Sequence, residues 1–594
     1  MIKLKNIFAS AVLISTLAIH QQVDAKAKIE PIEFVNDIVE WKKEKMHLKT
    51  SDQLLNYEFL KNAGSTAVDW YVVGLGRVGY PDLYENYRAV LENVISQKYT
   101  FPEKLSESKS TEWHRMTLAY LAAGGDATSV GNQKINLIED GTYNRGKTMA
   151  IDAQGINGLI WGLITLDALK YEVPNDAFED RHELIDRLLS KQLKDGGFSF
   201  EMDESDVDMT AMALQALAPY KNDEKKYNGK TVHEAITSAL EFLKKEQTNS
   251  GAFKMAGEEN LESTAQVVVA LTSLGLDPQK EFVKKGNSLI DGMLQFQMKD
   301  GGFVHSKKYN QDNPTALPDE SNTMASEQAL YAFVSIEREN REMRSLYDYR
   351  QEQDIKTQQQ IEKVEQEIEN INSEKSALQT YELYKKIPVL EHQYVEHYQQ
   401  LKTSLQKYQI KLDGIDVVDA NYANGQKTMK PVKILNQQSN KSTTLSKQEL
   451  KRIHQLPKEI TTEQYVEVTT LLNRLTADQK EEKRLLEQRK KEIELLQHEI
   501  QQLNEEILND LYPFSKLSLE EEEKVKRIYS KYEKLPQVDQ KQILSAEDLE
   551  KSKTQMTTLK RQNLLKYGVG IGIIALIFAF IIIRKRKKEK ELDE

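Results

Sequence analysis

One turn is written into this chain several times, and its spacing constrains the fold more than any other feature. QLKDGGF at 192–198 is followed by the acidic, small-residue stretch SDVDMTAMALQAL at 205–217. QMKDGGF at 297–303 is followed by ASEQALYAF at 325–333. A looser copy, QTNSGAF at 247–253, precedes LESTAQVVVALTSLG at 261–275, and Asp140-Gly141-Thr142-Tyr143 is weaker still. Tyr143, Phe198, Phe253 and Phe303 lie 55, 55 and 50 residues apart, with Phe101 as the counterpart in the degenerate early part. A period near fifty residues marks stacked supersecondary units, each burying a face it cannot bury alone. Paired glycines permit a backbone that a Cβ would forbid. The aromatic after them can wedge between neighbouring units.

Two kinds of helix pattern alternate across residues 28–340. Six are rich in small and apolar residues nearly all round: 66–78, 111–123, 156–169, 209–218, 263–274 and 325–336. Others, such as HELIDRLLSKQ (182–192) and HEAITSALEFLKKEQ (233–247), are apolar on one side only. Two concentric layers account for both, an inner set enclosed by an outer set that faces water.

The segments QLKDGGF, DVDMTAMALQAL and QMKDGGF resemble the repeats of the prenyltransferase and squalene-cyclase superfamily. The resemblance covers about half of the chain and implies an α/α toroid, six inner helices ringed by six outer ones. Cobalamin-carrier proteins and secreted bacterial relatives share that toroid. Within it, Asp206-Val207-Asp208-Met209-Thr210-Ala211 resembles the D-x-D-D-T-A motif of class II terpene cyclases, and Asp208 matches their proton donor. Met209 stands where that motif has a further acid. Protonating an alkene needs a desolvated carboxylic acid held by its surroundings, so losing the acidic neighbour weakens the enzyme reading. Protein prenyltransferases use aspartate, cysteine and histidine on zinc; this chain has no cysteine and no histidines at metal spacing, so no metal site is expected. The resemblance to cobalamin carriers leaves a corrinoid open, although the β-rich second domain that clamps it has no counterpart here beyond 413–446. No other cofactor is expected.

Inner helices start at one rim of a toroid, where polar side chains face the mouth and helix N-termini favour anions. The ligand-binding candidates on this rule are Asp69, Trp70, His114, Asp206, Asp208, Glu262 and Glu327, with Glu112, Asp152, Asn157 and Asn322 beside them. Asp208 doubles as the candidate catalytic acid, set against a bland reading of Asp206 and Asp208 as helix caps. Alignment of TAMALQAL on TAQVVVAL places Asp208 against Glu262.

Beyond residue 340 the chain changes character. Twenty-two of the 27 glycines precede residue 341, and Glu, Gln and Lys dominate after it. Ile361, Val364, Ile368, Ile371 and Leu378 form an a/d seam with Lys375 as a polar break, so 341–412 reads as a coiled coil or helical hairpin. Residues 413–446 read as a linker or small hairpin around Asn424-Gly425. In 447–566, residues 453–488 resemble 511–551, each with a Pro, a Thr/Ser-led acidic helix start and a Leu/Tyr-rich helix. Similar small repeats occur in Gram-positive surface proteins. Leu486, Ile493, Leu496, Ile500, Leu503 and Ile507 continue a heptad seam between the copies, and homo-oligomers through these coiled coils are left open.

The two ends read as targeting and anchoring. Residues 1–27 have the positive start, short apolar core and Ala25-Lys26-Ala27 end of a signal peptide. Residues 567–583 read as a transmembrane helix, and 584–594 as a basic cytoplasmic tail, which places the N-terminal part outside. No LPxTG-like signal precedes the span. The net charge of -11 gives no basic field for nucleic acid. The expected whole is all-α: an α/α toroid, a helical coiled-coil stalk and one C-terminal transmembrane helix in the cell membrane of a Gram-positive bacterium. Its expected role is a membrane-anchored surface binding or adhesion module for a small molecule, glycan or surface protein, non-catalytic in preference to enzymatic. The alternatives are a terpene-cyclase-like enzyme with Asp208 as general acid, and a scaffold for another membrane protein.

Overall fold

The structure, a computed structural model, describes residues 29–99, 108–200, 204–255, 257–341, 343–350, 355–387, 392, 395, 397–410 and 445–590. The signal peptide, Phe101 and all but the last two residues of 413–446 lie outside these.

The first half holds α1 (Pro31–Lys45), α2 (Tyr57–Leu60), α3 (Thr66–Val78), α4 (Tyr84–Tyr99), α5 (Ser110–Ala122), α6 (Leu137–Gly141) and α7 (Asn157–Asp167). It continues with α8 (Arg181–Ser190), α9 (Val207–Leu217), α10 (Val232–Glu246), α11 (Leu261–Leu274), α12 (Leu289–Leu294) and α13 (Thr323–Asn340). Helices α3, α5, α7, α9, α11 and α13 each pack on the next, and α13 packs on α3, so six inner helices close into a ring. Outside them, α1 lies on α13, α4 and α6 on α5, α8 on α7, α10 on α9 and α12 on α11. These are the six apolar patterns of the sequence, with ends shifted by two residues or fewer except that α13 runs on to Asn340. The inner helices are buried on nearly all sides because they meet ring neighbours and an outer helix at once. Burial of so many Leu, Ile, Val and aromatic side chains, at roughly 25 cal/mol per Å² of apolar surface, drives closure.

The repeated turn has one geometry three times. Phe198, Phe253 and Phe303 are fully buried, and their amides donate to Thr210 Oγ1 (2.9 Å), Thr264 Oγ1 (3.0 Å) and Ser326 Oγ (3.0 Å) on the following inner helix. That helix is capped by Asp206, Asn260 or Asn322, four residues before the hydroxyl, accepting from the amides of Met209, Ser263 and Ala325. The first turn glycine has φ near +90° at Gly196, Gly251 and Gly301. A Cβ there would meet the backbone oxygen of Ser238, Ser288 or Asp37 at 2.3, 2.1 or 2.9 Å. Each turn is thus pressed against the next outer helix or its cap, and for Gly301 that helix is α1. Gln192 and Gln247 reach from the turn to carbonyls of the next unit, Ala235 O at 2.8 Å and Phe282 O at 3.1 Å.

The core of the ring continues past residue 340. Leu346, Tyr347 and Tyr349 are buried in it, and Arg77 donates to the carbonyls of Ser345, Leu346 and Asp348. After this come α14 (Ile355–Glu369), α15 (Glu374–Tyr384) and α16 (Tyr398–Lys407), which pack on one another. The seam read through to Leu378 is interrupted, because Ser373 caps a new helix with Ser376 and Leu378 faces solvent.

The second half holds α17 (Lys447–Ile453), α18 (Gln464–Leu472), α19 (Lys480–Leu511), α20 (Glu522–Lys534), α21 (Gln537–Gln540) and α22 (Ala546–Lys590). The N-terminal part of α19 buries Leu486 and Ile493 with Tyr465, Val468 and Leu471. Its C-terminal part buries Ile500, Leu503 and Ile507 with Val525, Ile528 and Leu549. The heptad seam is therefore covered by the chain's own helices. Thr462, just before α18, donates through Oγ1 to the buried Asp539 Oδ1 of α21 at 2.5 Å. The region does not stand off as a stalk. Helix α18 packs on α2 and α4, Asn473 donates to Asn86 at 3.0 Å, and Asn93 and Gln497 exchange amide hydrogen bonds at 3.0 and 3.1 Å.

The backbone of 567–583 is helical within α22, while the side chains of 567–572 lie outside the described residues. Among the described residues no helix is long and apolar enough to cross a membrane, so the expected span is not found there. Ile573, Ile574, Leu576, Ile577, Phe578 and Phe580 to Ile583 are exposed.

Candidate ligand-binding site

The loops 146–156 and 304–322 and the described residues 198–200 and 204–206 lead into α7, α13 and α9, with Gly155 before α7 packed on Phe200 before α9. Asp206 is the cap of α9: its Oδ1 accepts from Met209 N at 2.6 Å and its Oδ2 from Phe200 N at 3.2 Å. The bland reading holds for this residue. It fails for Asp208, which bonds no backbone amide. The residue is half-buried; its Oδ1 is enclosed and makes no well-formed hydrogen bond among the described residues, with the Ser263 hydroxyl beside it. Burial pushes its carboxyl up to about 6, and the charges of Asp206 and Glu262 add to this; Ser263 and His305 oppose it. Met209, in the position of the missing acid, is buried with the core.

Glu262, on the adjacent inner helix, bonds His305 Nδ1 through Oε2 at 2.7 Å, leaving Oε1 buried and unpartnered among the described residues. That bond raises the His305 imidazole pKa, because it favours the protonated ring. Glu327, on α13, has Oε2 in the same condition. Burial drives its carboxyl far above the ordinary range, reinforced by Asp69 and Glu262 and opposed by Lys42 and Arg115. Tyr331 follows one turn later. Its hydroxyl accepts from Gln266 Nε2 at 2.6 Å and feels the charges of Glu327, Asp208 and Glu262 together. Three inner helices therefore carry carboxyls into one acidic neighbourhood, in which Glu262 acts on both Asp208 and Glu327. The floor beside them is aromatic: Trp70 lies 5.1 Å from Trp161 and 5.9 Å from Tyr331, and Trp161 lies 5.5 Å from Tyr347, all between ring centroids.

Other candidates do different work. Asp69 is fully buried and fully engaged, accepting from Gly64 N (2.9 Å), Tyr87 Oη (2.8 Å) and Arg115 Nε (2.9 Å). Glu112 holds the other face of Arg115, so this network ties α3, α4 and α5 together. His114 is also buried, with Nε2 2.7 Å from Gly141 O and the ring against Gly162, between α5, α6 and α7. Burial lowers its pKa to about 4, so the ring is neutral and structural. Asp152 pairs with Arg187 at 2.5 Å, and Asn322 is a cap. Asp69 and Asp206 thus spend their carboxyls on the fold, His114 bonds through Nε2 while its Nδ1 has no partner among the described residues, Trp70 is partly exposed, and Asp208, Glu262 and Glu327 each keep a buried oxygen without such a partner.

His305, Tyr331 and Lys42 were missed. His305 sits two residues after the repeat aromatic Phe303, where the copies have Phe200 and Met255, and it arrives only because the Leu261 amide donates to its carbonyl at 2.9 Å. Tyr331 was legible as the i+4 neighbour of Glu327 on an inner helix. Among the described residues, no group of three or more His, Cys, Asp or Glu is arranged to hold a metal ion.

Residues 180–388 match the family model of the squalene-hopene cyclase C-terminal domain. The match contains Asp208, Glu262, His305 and Glu327, and excludes Asp69, Trp70 and His114. No curated protein matches the chain. Among the described residues, six inner helices closed into a ring with six outer ones around it have the architecture of the squalene-cyclase-like α/α toroids, and the match over 180–388 supports that likeness.

Proposed function

We propose that the toroid is a ligand-binding module that works without catalysis, held against the helical second half and anchored at a cell surface by α22. One observation supports this above the others: Asp208, Glu262 and Glu327 each bury an oxygen with no partner among the described residues. An unpaired buried polar atom costs about 1–3 kcal/mol, and three at one mouth make sense where a bound group supplies the donors. Native mass spectrometry of the full-length chain from its own host tests this. A retained small molecule that disappears in Glu262→Gln supports it; the same species in both proteins, or none in either, counts against it.

A second reading, acid catalysis by Asp208, is favoured by one further fact: burial keeps this carboxyl protonated up to about pH 6. It requires turnover of a polyprenyl substrate that Asp208→Asn abolishes. Membrane attachment is supported by the exposed run from Ile573 to Ile583 followed by Arg584, Lys585 and Arg586. Removal of residues 567–590 is expected to release the protein from a carbonate-washed membrane fraction, and membrane retention of the shortened chain would refute the anchor.

A further inference from the structure

We infer that the mouth of the toroid takes an organic cation, an ammonium group carried on an apolar body. This rests on the reading of the mouth as a binding site and names the class of ligand. The unpartnered oxygens Asp208 Oδ1, Glu262 Oε1 and Glu327 Oε2 are acceptors, so the missing partner must donate. An ammonium donates and also relieves the repulsion of Glu262 with Asp208 and with Glu327, which a sugar hydroxyl does not. The groups facing this place are Asp206 beside Asp208, Glu262 and His305 across from it, and Glu258 beside His305. Around Glu327 they are Lys42 from α1, Asp69 from α3, Arg115 from α5 and Glu262 from α11. Arg115 is already held by Asp69 and Glu112, and Lys42 donates to Thr323 Oγ1 at 2.9 Å. The balance is acidic.

Helix N-termini would favour an anion, yet at α9, α11 and α13 the caps Asp206, Asn260 and Asn322 already occupy the first free amides. The aromatic floor points the same way. Trp70 is the partly exposed ring of its cluster, and an indole face attracts a cation. Tyr331, next to it, lies within the field of all three carboxyls. The rim matches an apolar body: Met149 in the loop before α7, Phe200 before α9, Tyr309 and Leu317 before α13, and Met324 in its first turn are all exposed. A metal ion fits less well, since the described carboxyls and histidines do not form a coordinating group.

Isothermal titration calorimetry on the full-length chain, between pH 5 and pH 8, tests this with benzylammonium and methylammonium, which keep their N–H donors, as probes and with benzoate and glucose as counterparts. Saturable binding of benzylammonium is expected. Affinity should rise about tenfold from pH 5 to pH 7.5, because ionised Asp208, whose carboxyl is pushed up to about 6, is what the cation selects, with proton release largest near pH 6. Glu262→Gln and Asp208→Asn should each weaken it about tenfold, and Trp70→Leu should erase the preference for benzylammonium over methylammonium. The pH series on the unaltered chain stands even if a variant fails to fold. Binding of benzoate or glucose that depends on Glu262, with no binding of either cation, overturns the cation while leaving the binding site. Cation binding indifferent to pH and to all three substitutions overturns the proposal. Silence of all four probes toward folded protein overturns both readings.

Discussion

Asp206 and Asp208 stand two positions apart, yet their carboxylates meet opposite fates. One is consumed by backbone amides and the other is enclosed without them. Asp206→Ala should cost about 1 kcal/mol in urea unfolding, the ordinary loss of a helix cap. Asp208→Asn should do the reverse, with a pH signature. Burial raises the Asp208 pKa from 3.8 to about 6, so its favourable contribution to stability is complete below pH 4 and is lost as pH rises through 6. The asparagine variant should match the parent at pH 4 and exceed it at pH 7.5 by up to about 3 kcal/mol. A variant less stable than the parent at pH 7.5 would mean that the ionised carboxylate is satisfied. Asp208, Glu262, Glu327 and Trp70 were legible in sequence because they fall near the starts of apolar helices. His305 was not, since a loop residue has no period and its place depends on a backbone bond to Leu261.

At the scale of an element, the repeated turn is defined by what its first glycine touches. Gly196 and Gly229 share a positive φ, +91° and +83°, but a Cβ on Gly196 would strike the Ser238 carbonyl and one on Gly229 would meet open space. Gly229→Ala should therefore cost about 1 kcal/mol, the backbone penalty alone, and Gly196→Ala more than about 2 kcal/mol. Equal losses in urea unfolding would show that the close approach to α10 carries no weight. The turn was readable because the glycine pair and the aromatic recur. Three features of the second half were less so. The a/d pattern from Ile361 onward did not announce the break at Ser373, since a polar cap inside a heptad looks like one more surface residue. The seam of α19 was correctly apolar, but a heptad says nothing about whether its partner is another chain or, as here, α18 and α20. Nor was the seating of α18 on the ring visible: Asn86, Asn93, Asn473 and Gln497 are polar residues without pattern, and only their pairing gives them meaning.

For the molecule as a whole, the ring is closed by its first helix. Phe34 stacks on Phe333 with centroids 4.6 Å apart, Trp41 Nε1 donates to Asp300 Oδ2 at 3.1 Å, and Gly301 presses on the α1 backbone. Trp41→Ala should cost about 3–5 kcal/mol, as for a large core side chain, and should loosen residues on both sides of the seam together in hydrogen exchange. Protection lost only near residue 41 would mean that the ring does not unfold as a unit. The closing contacts join residues 259 and 281 positions apart, so α1 emerges during synthesis long before anything exists for it to pack on. Until residues 289–340 follow, Val35, Ile38, Val39 and Trp41 have no cover. Such distant pairings slow folding and leave sticky intermediates. This chain must therefore keep its beginning unfolded or shielded while the band is assembled, and a shortened chain ending before α13 should be recovered as an aggregate or bound to a chaperone.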